Sequence, residues 1–111
     1  MKNPKLKLKP IPKSLRENKR YFKIKLISES LFSEADLFFA IQNSLKQIFG
    51  LFGFSEIGFQ LIFFEKNTLI LGCNASAQSK LGFALLSLKE VNSKKLVFLI
   101  EQVSGTLKSL D

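Results

Sequence analysis

The order in which the hydrophobic period changes along this chain leaves few folds open to it. Residues 20–28 (RYFKIKLIS) alternate, with Phe22, Ile24 and Leu26 on one side and Tyr21, Lys23, Lys25 and Ile27 on the other. A period of two is a strand with one buried face, here backed by a mixed, basic one. From Ser33 the period lengthens. Ser33 can cap a helix, Glu34 and Asp36 suit its positive end, and Leu37, Ile41, Leu45, Ile48 and Phe52 recur at helical spacing. Gly50 and Gly53 are expected to stop that helix. Residues 57–65 and 68–74 read as two strands joined by Lys66-Asn67, a hairpin. A second helix is expected over about 76–90, with Leu81, Leu85 and Leu88 inward, and a last strand over 95–103. The resulting order, β-α-β-β-α-β, predicts an α+β sandwich of the ferredoxin-like or RRM-like kind. Four antiparallel strands form its sheet, and two main helices cover one face.

That arrangement leaves an apolar surplus. In the last strand Leu96, Phe98 and Ile100 are apolar, but so are Val97, Leu99 and Val103. In the second strand Phe59, Leu61 and Phe63 alternate with apolar Ile62 and Phe64. Helices cover only one face, so part of this surface is expected to meet a protein partner or a terminal segment. The apolar turn around Leu51, Phe52 and Phe54 adds to the surplus and is the expected partner contact.

Charge divides the chain unevenly. The 111 residues carry 17 Lys+Arg and 9 Asp+Glu, for a net +8. Residues 1–20 hold eight of the basic residues against the single acid Glu17, so the rest is nearly neutral. Residues 1–13, stiffened by Pro4, Pro10 and Pro12, read as a basic arm. Residues 14–111 read as one domain. Such arms meet phosphate or anionic surfaces, or merely solubilise. A membrane role is disfavoured, because Lys23 and Lys25 interrupt the first apolar run and Ser55, Glu56 and Gln60 the most apolar one.

Composition also excludes chemistry. Histidine is absent and Cys73 is the only cysteine. No Ser-His-Asp triad, Cys-His dyad, Cys/His zinc site or intrachain disulfide can form. A lone cysteine suits a reducing compartment, and the cytoplasm is the expected location. Cys73 shares a strand side with Leu69 and Leu71 and reads as a core thiol. Glu34 and Asp36 read as helix-start acids, and the remaining acids are isolated in sequence; no residue is expected to be catalytic or to bind metal. Gly50-Leu51-Phe52-Gly53 matches the GxxG clamp pattern, but its apolar middle suits a helix stop better. The residues suited to phosphate are Arg16, Lys19 and Arg20 just before the first strand, then Lys23 and Lys25 within it. Tyr21 offers a ring to stack on a base. The Ser104-Gly105-Thr106 turn lets backbone N–H groups and hydroxyls approach an anion, with Lys108 close behind.

Several segments together resemble one family. Ser14-Leu15-Arg16-Glu17-Asn18-Lys19-Arg20-Tyr21 resembles the opening of archaeal ribonuclease P protein component 2. Phe83-Ala84-Leu85 and Val103-Ser104-Gly105-Thr106-Leu107-Lys108 resemble its later motifs, and Cys73 falls where members often carry a cysteine. Asn74, Ala75 and Gly82 stand where many members have basic residues, as if positive charge had moved to the N-terminal arm.

The resemblance implies a ferredoxin-like subunit of ribonuclease P, the endoribonuclease that removes the 5′ leader from precursor tRNA. It implies binding to ribonuclease P RNA, with precursor tRNA met only indirectly; the residues expected to carry that binding are Arg16, Lys19, Arg20, Tyr21, Lys23, Lys25, Gly105, Thr106 and Lys108. It implies pairing with component 3 and self-association within a heterotetramer, which would account for the apolar surplus at Leu51, Phe52 and Phe54. It further implies that the chain binds no cofactor and is not itself catalytic; magnesium is expected at the RNA active site. Two other readings stay open: an RRM-like module for single-stranded RNA, which needs open aromatic rings on the sheet, and a scaffold whose basic arm docks on an acidic protein.

Overall fold

The computed structural model describes residues 18–110. The proposed arm (residues 1–13) and Arg16 lie outside them. The elements run β1 (Lys19–Ile27), α1 (Glu34–Ile57), β2 (Gln60–Glu65), β3 (Thr68–Asn74), a 3-10 turn (Ala75–Ala77) and α2 (Gln78–Ser87). A small hairpin, β4 (Glu90–Val91) and β5 (Lys94–Lys95), follows, then β6 (Val97–Ser104) and a last 3-10 turn (Lys108–Leu110).

The main sheet has the order β2-β3-β1-β6, with β1 and β3 central and every pairing antiparallel. This is the ferredoxin-like order, with β6 as the fourth strand. Phe22, Ile24 and Leu26 of β1, Leu69, Leu71 and Cys73 of β3, and Phe98 of β6 meet Leu37, Ile41 and Leu45 of α1 and Leu81, Ala84 and Leu85 of α2 in one core. No helix among the described residues is long and apolar enough to cross a membrane.

Local chemistry explains most boundaries. The Ser33 hydroxyl accepts the Asp36 N–H at 3.1 Å and starts α1. Gly58, at φ +65°, ends it. Lys66 and Asn67, at φ 52° and 61°, form the tight turn of the β2–β3 hairpin.

Four boundaries differ from the sequence expectation. Gly50 (φ 76°, ψ 176°) interrupts α1 without stopping it, and helix resumes to Ile57, so β2 starts at Gln60 and not at 57. The second helix is shorter at both ends, opening with a 3-10 turn and closing at Ser87. The expected last strand is split: Asn92 and Ser93, both at positive φ, turn the extra β4–β5 hairpin before β6 begins at Val97. Finally, β1 begins at Lys19, so Lys19 and Arg20 belong to the strand.

Two bulges resolve much of the apolar surplus. The β2–β3 register shifts between Leu61 and Phe63, so Leu61 and Phe64 both pack on the core and Phe63 pairs with Ile70 on the other face. The β1–β6 register shifts between residues 23 and 24, where Glu101 is the extra residue, and Val103 returns to the core side. What stays exposed on the open face is Ile27, Val97 and Leu99.

Candidate nucleic-acid interface

The period of two in β1 sends Lys19, Tyr21, Lys23 and Lys25 to the face without helices, while Phe22, Ile24 and Leu26 enter the core. The three lysines span roughly 20 Å along the strand. Register fixes their neighbours. Lys23 lies between Ile70 and Gln102, Lys25 between Thr68 and Leu99, and Lys19 beside Asn74. Lys25 is exposed and Lys23 half-buried, so the middle of the sheet presents ammonium groups, with the carboxylate of Glu65 on the same face at the β2 edge, opposite Thr68.

Tyr21 shares this side, but only 9% of it is exposed. A Cβ built on Gly72 would stand 3.4 Å from its Cδ1 and Cε1. The ring is packed down over the glycine opposite and is not presented to a base. This removes the one ring the sequence offered for stacking.

Arg20 points the other way, beside Cys73 in register. Its Nη1 donates to the Lys19 carbonyl at 3.0 Å and stands 3.6 Å from where a Gly105 Cβ would be. The antiparallel β1–β6 pairing, with Tyr21 opposite Ser104, thus brings Arg20 to the Ser104-Gly105-Thr106 turn. The Thr106 N–H donates to the Ser104 hydroxyl at 3.1 Å and closes that turn. Lys108 follows, exposed, in the 3-10 turn that packs near β6. Lys19, Arg20, Gly105, Thr106 and Lys108 therefore collect at one end of the sheet, and Lys23 and Lys25 lead away from it.

Lys19 is held. Its Nζ donates to Asn74 Oδ1 at 2.7 Å, and Asn74 Nδ2 donates to the Glu56 carbonyl at 2.9 Å. Burial pushes the Cys73 thiol up to about 11, with Lys19 and Arg20 pulling weakly the other way. A thiol so protonated is no nucleophile at neutral pH. Among the described residues no group of three or more Cys, Asp or Glu side chains could hold a metal ion.

The apolar turn divides in two. Leu51 and Phe52 are 72% and 89% exposed, on the far side of the Gly50 break. Phe54 instead packs against the core, with Lys46 Nζ 5.2 Å from its ring centroid. Of these three, Leu51 and Phe52 are the ones open to a partner.

Two features escaped the sequence reading. Asn74 is one, an amide closing an apolar strand and linked to a lysine far away in the chain. The basic β4–β5 hairpin, with Lys89, Lys94 and Lys95, is the other. Ser28 Oγ donates to the Lys95 carbonyl at 2.7 Å and Lys94 Nζ to the Leu31 carbonyl at 3.2 Å, anchoring it to the β1–α1 loop. The Asn92-Ser93 dipeptide was its signal.

The fold is that of a chain in the cryo-EM structure of yeast ribonuclease MRP, with a TM-score of 0.68 at 16% identity over 83% of this chain and 77% of that one. Ribonuclease P protein component 2 of Pyrococcus horikoshii is 34% identical over 106 residues, covering 94% of this chain and 88% of the relative. The component 2 protein of Archaeoglobus fulgidus is 32% identical over 101 residues, covering 91% and 92%. Residues 20–111 match the Rpp14/Pop5 family, and with archaeal ribonuclease P protein component 2 as its relatives this chain belongs to that family.

Proposed function

We propose that this chain is the component 2 protein of a cytoplasmic ribonuclease P and supports the RNA that cleaves the 5′ leader from precursor tRNA. The observation that carries this reading is the family match over residues 20–111, with relatives named ribonuclease P protein component 2. The basic face gives it a physical mechanism. Lys19, Lys23 and Lys25, with Arg20, Gly105, Thr106 and Lys108 at one end, oppose phosphates and release their counterions. Arg16 and the basic residues of 1–13 add further positive charge for phosphate. Tyr21 holds the strand in place beneath the lysines, as a wall of the site.

The chain's part is electrostatic and architectural. Catalysis, and the magnesium it requires, belong to the RNA; precursor tRNA is met through that RNA. Component 3 and a second copy of the chain are the protein partners, and Leu51 and Phe52 supply apolar surface for one of these contacts. The covered ring of Tyr21 weighs against a stand-alone single-strand binder, which needs open rings.

Reconstitution tests the reading. Cognate ribonuclease P RNA, precursor tRNA and component 3 are combined in moderate magnesium, with and without this chain, and leader release is followed. A gain that requires both proteins is expected. No gain, when a known component 2 is active in the same mixture, would remove the assignment.

A further inference from the structure

Asn74 is the one buried polar or charged side chain among the described residues, and its amide is used at both ends. Its Nδ2 donates to the carbonyl of Glu56, one of the last carbonyls of α1, which helix geometry leaves without an intrahelical partner. Its Oδ1 accepts from Lys19 Nζ at 2.7 Å. The amide also lies flat on Gly58: a Cβ there would stand 2.9 Å from both Oδ1 and Nδ2. At φ +65°, Gly58 suits a glycine for conformation as well as for space. Ala75, next to Asn74, donates its N–H to the carbonyl of Asn18, next to Lys19, at 2.8 Å, so the backbone around Asn74 and Lys19 is tied too. The acceptor that meets Lys19 is thus fixed before any ligand arrives.

We propose that Asn74 is a positioning residue for RNA contact, acting through Lys19. The inference rests on the proposed RNA-binding role of the β1 lysines. A free lysine loses rotamer freedom when it is fixed. Lys19 gives up part of that on folding, so less remains to be lost when it meets a phosphate. The chemistry of the holder matters equally. A carboxylate at this place would pair with the ammonium and cancel its charge. A neutral amide orients it and leaves the positive charge for the phosphate.

The experiment uses the full chain assembled with ribonuclease P RNA and component 3, and reads RNA affinity across a salt series for wild type, Lys19→Ala, Asn74→Ala, Asn74→Asp and Lys19→Ala/Asn74→Ala. Expected are a loss of at least about three-fold for Asn74→Ala, and no further loss when it is added to Lys19→Ala. Asn74→Asp should bind RNA at least as weakly as Asn74→Ala, because it cancels the charge while keeping an acceptor for Lys19. A purely structural role predicts instead that RNA loss tracks the thermal melts and persists when Lys19 is already alanine, since the aspartate cannot donate to the Glu56 carbonyl and so unties the end of α1 as well. Thermal melts accompany each variant, and Asn74→Ser stands in if Asn74→Ala does not fold. Additive losses, or an aspartate variant that binds better than the alanine one, would overturn the proposal while leaving the β1 interface standing. Absence of RNA binding by the wild-type assembly would overturn both.

Discussion

The ring of Tyr21 in β1 lies over Gly72 in β3, its partner across the central strand pair. A Cβ on Gly72 would meet Tyr21 at 3.4 Å and the tip of Ile62 at 3.1 Å. The tip of an isoleucine can move by a few tenths of an ångström. Gly72→Ala is therefore expected to stay within about 1 kcal/mol of wild type, the lost glycine freedom offsetting the crowding. Gly72→Val has no such room and should cost about 1–3 kcal/mol by overpacking. Urea unfolding of the two variants checks this. Equal stability for both would mean that the ring does not press on the strand.

Lys23 and Lys25 project from the same face without entering the core, so removing them should leave the fold intact. Lys23→Ala and Lys25→Ala are each expected to reduce the slope of log affinity against log salt for RNA by about 0.7–0.9. Lys46, whose ammonium sits over the Phe54 ring on α1, is the control. Lys46→Ala should leave the slope unchanged. Similar losses for all three lysines would mean a diffuse field in place of a contact face.

Cys73 gives the chain an alkaline limit. Its thiol is raised from 9.0 to about 11 by burial. The folded state therefore holds the proton more tightly than the unfolded state. That stability is fully present below pH 9 and is lost as pH rises towards 11. Stability of wild type should thus fall more steeply across this window than that of Cys73→Ala, which cancels the titrations common to both. The same burial predicts no reaction with iodoacetamide at neutral pH until the chain unfolds. Parallel slopes for the two proteins would sink the idea.

Leu51 and Phe52 are exposed, so truncating them should cost the monomer less than about 0.5 kcal/mol. A buried aromatic anchor at an interface is commonly worth 2 kcal/mol or more. Phe52→Ala should then weaken assembly with component 3, or self-association, by about thirty-fold or more, read by calorimetry and by sedimentation. Phe54→Ala should behave in the opposite manner: it packs on the core, so it should lower stability first.

Much of this fold was legible because its signals are local. The strict alternation of Phe22, Ile24 and Leu26 marks β1 and its faces, and Lys66-Asn67 marks the hairpin as a polar pair whose asparagine tolerates positive φ. The bulges at Ile62 and Glu101 were not legible. One extra residue in an apolar strand changes no composition, and only the pairing strand shows which side chain is displaced. The site was legible as a row of lysines, for the same reason as β1. Its packing was not. Whether Tyr21 is open or covered depends on Gly72 across the sheet, and Lys19 is held by Asn74, a contact between residues 55 apart in the chain. Arg20 reads as a neighbour of Lys19 in sequence, yet pleating turns it to the helix side and towards Gly105.

Gly50 carries the last prediction. A glycine inside a helix is ordinarily a weakness, and replacing it with alanine gains about 0.5–1 kcal/mol. Gly50 sits instead at φ 76° and ψ 176°, a region essentially reserved for glycine. Nothing lies within 4 Å of a Cβ built there, so any cost of substitution is backbone strain alone. Gly50→Ala is expected to destabilise by about 1–3 kcal/mol, opposite in sign to a helical glycine. The break also sets the direction of residues 51–57, whose far end is fixed by buried Ile57 and by the Asn74 bond to Glu56. An alanine that straightens the helix must therefore pull against that anchor, and Leu51 and Phe52 must turn with it. Assembly with the protein partner should weaken along with stability. A stabilised variant with unchanged assembly would show that the break is incidental and that the two exposed side chains are not a docking surface set by it.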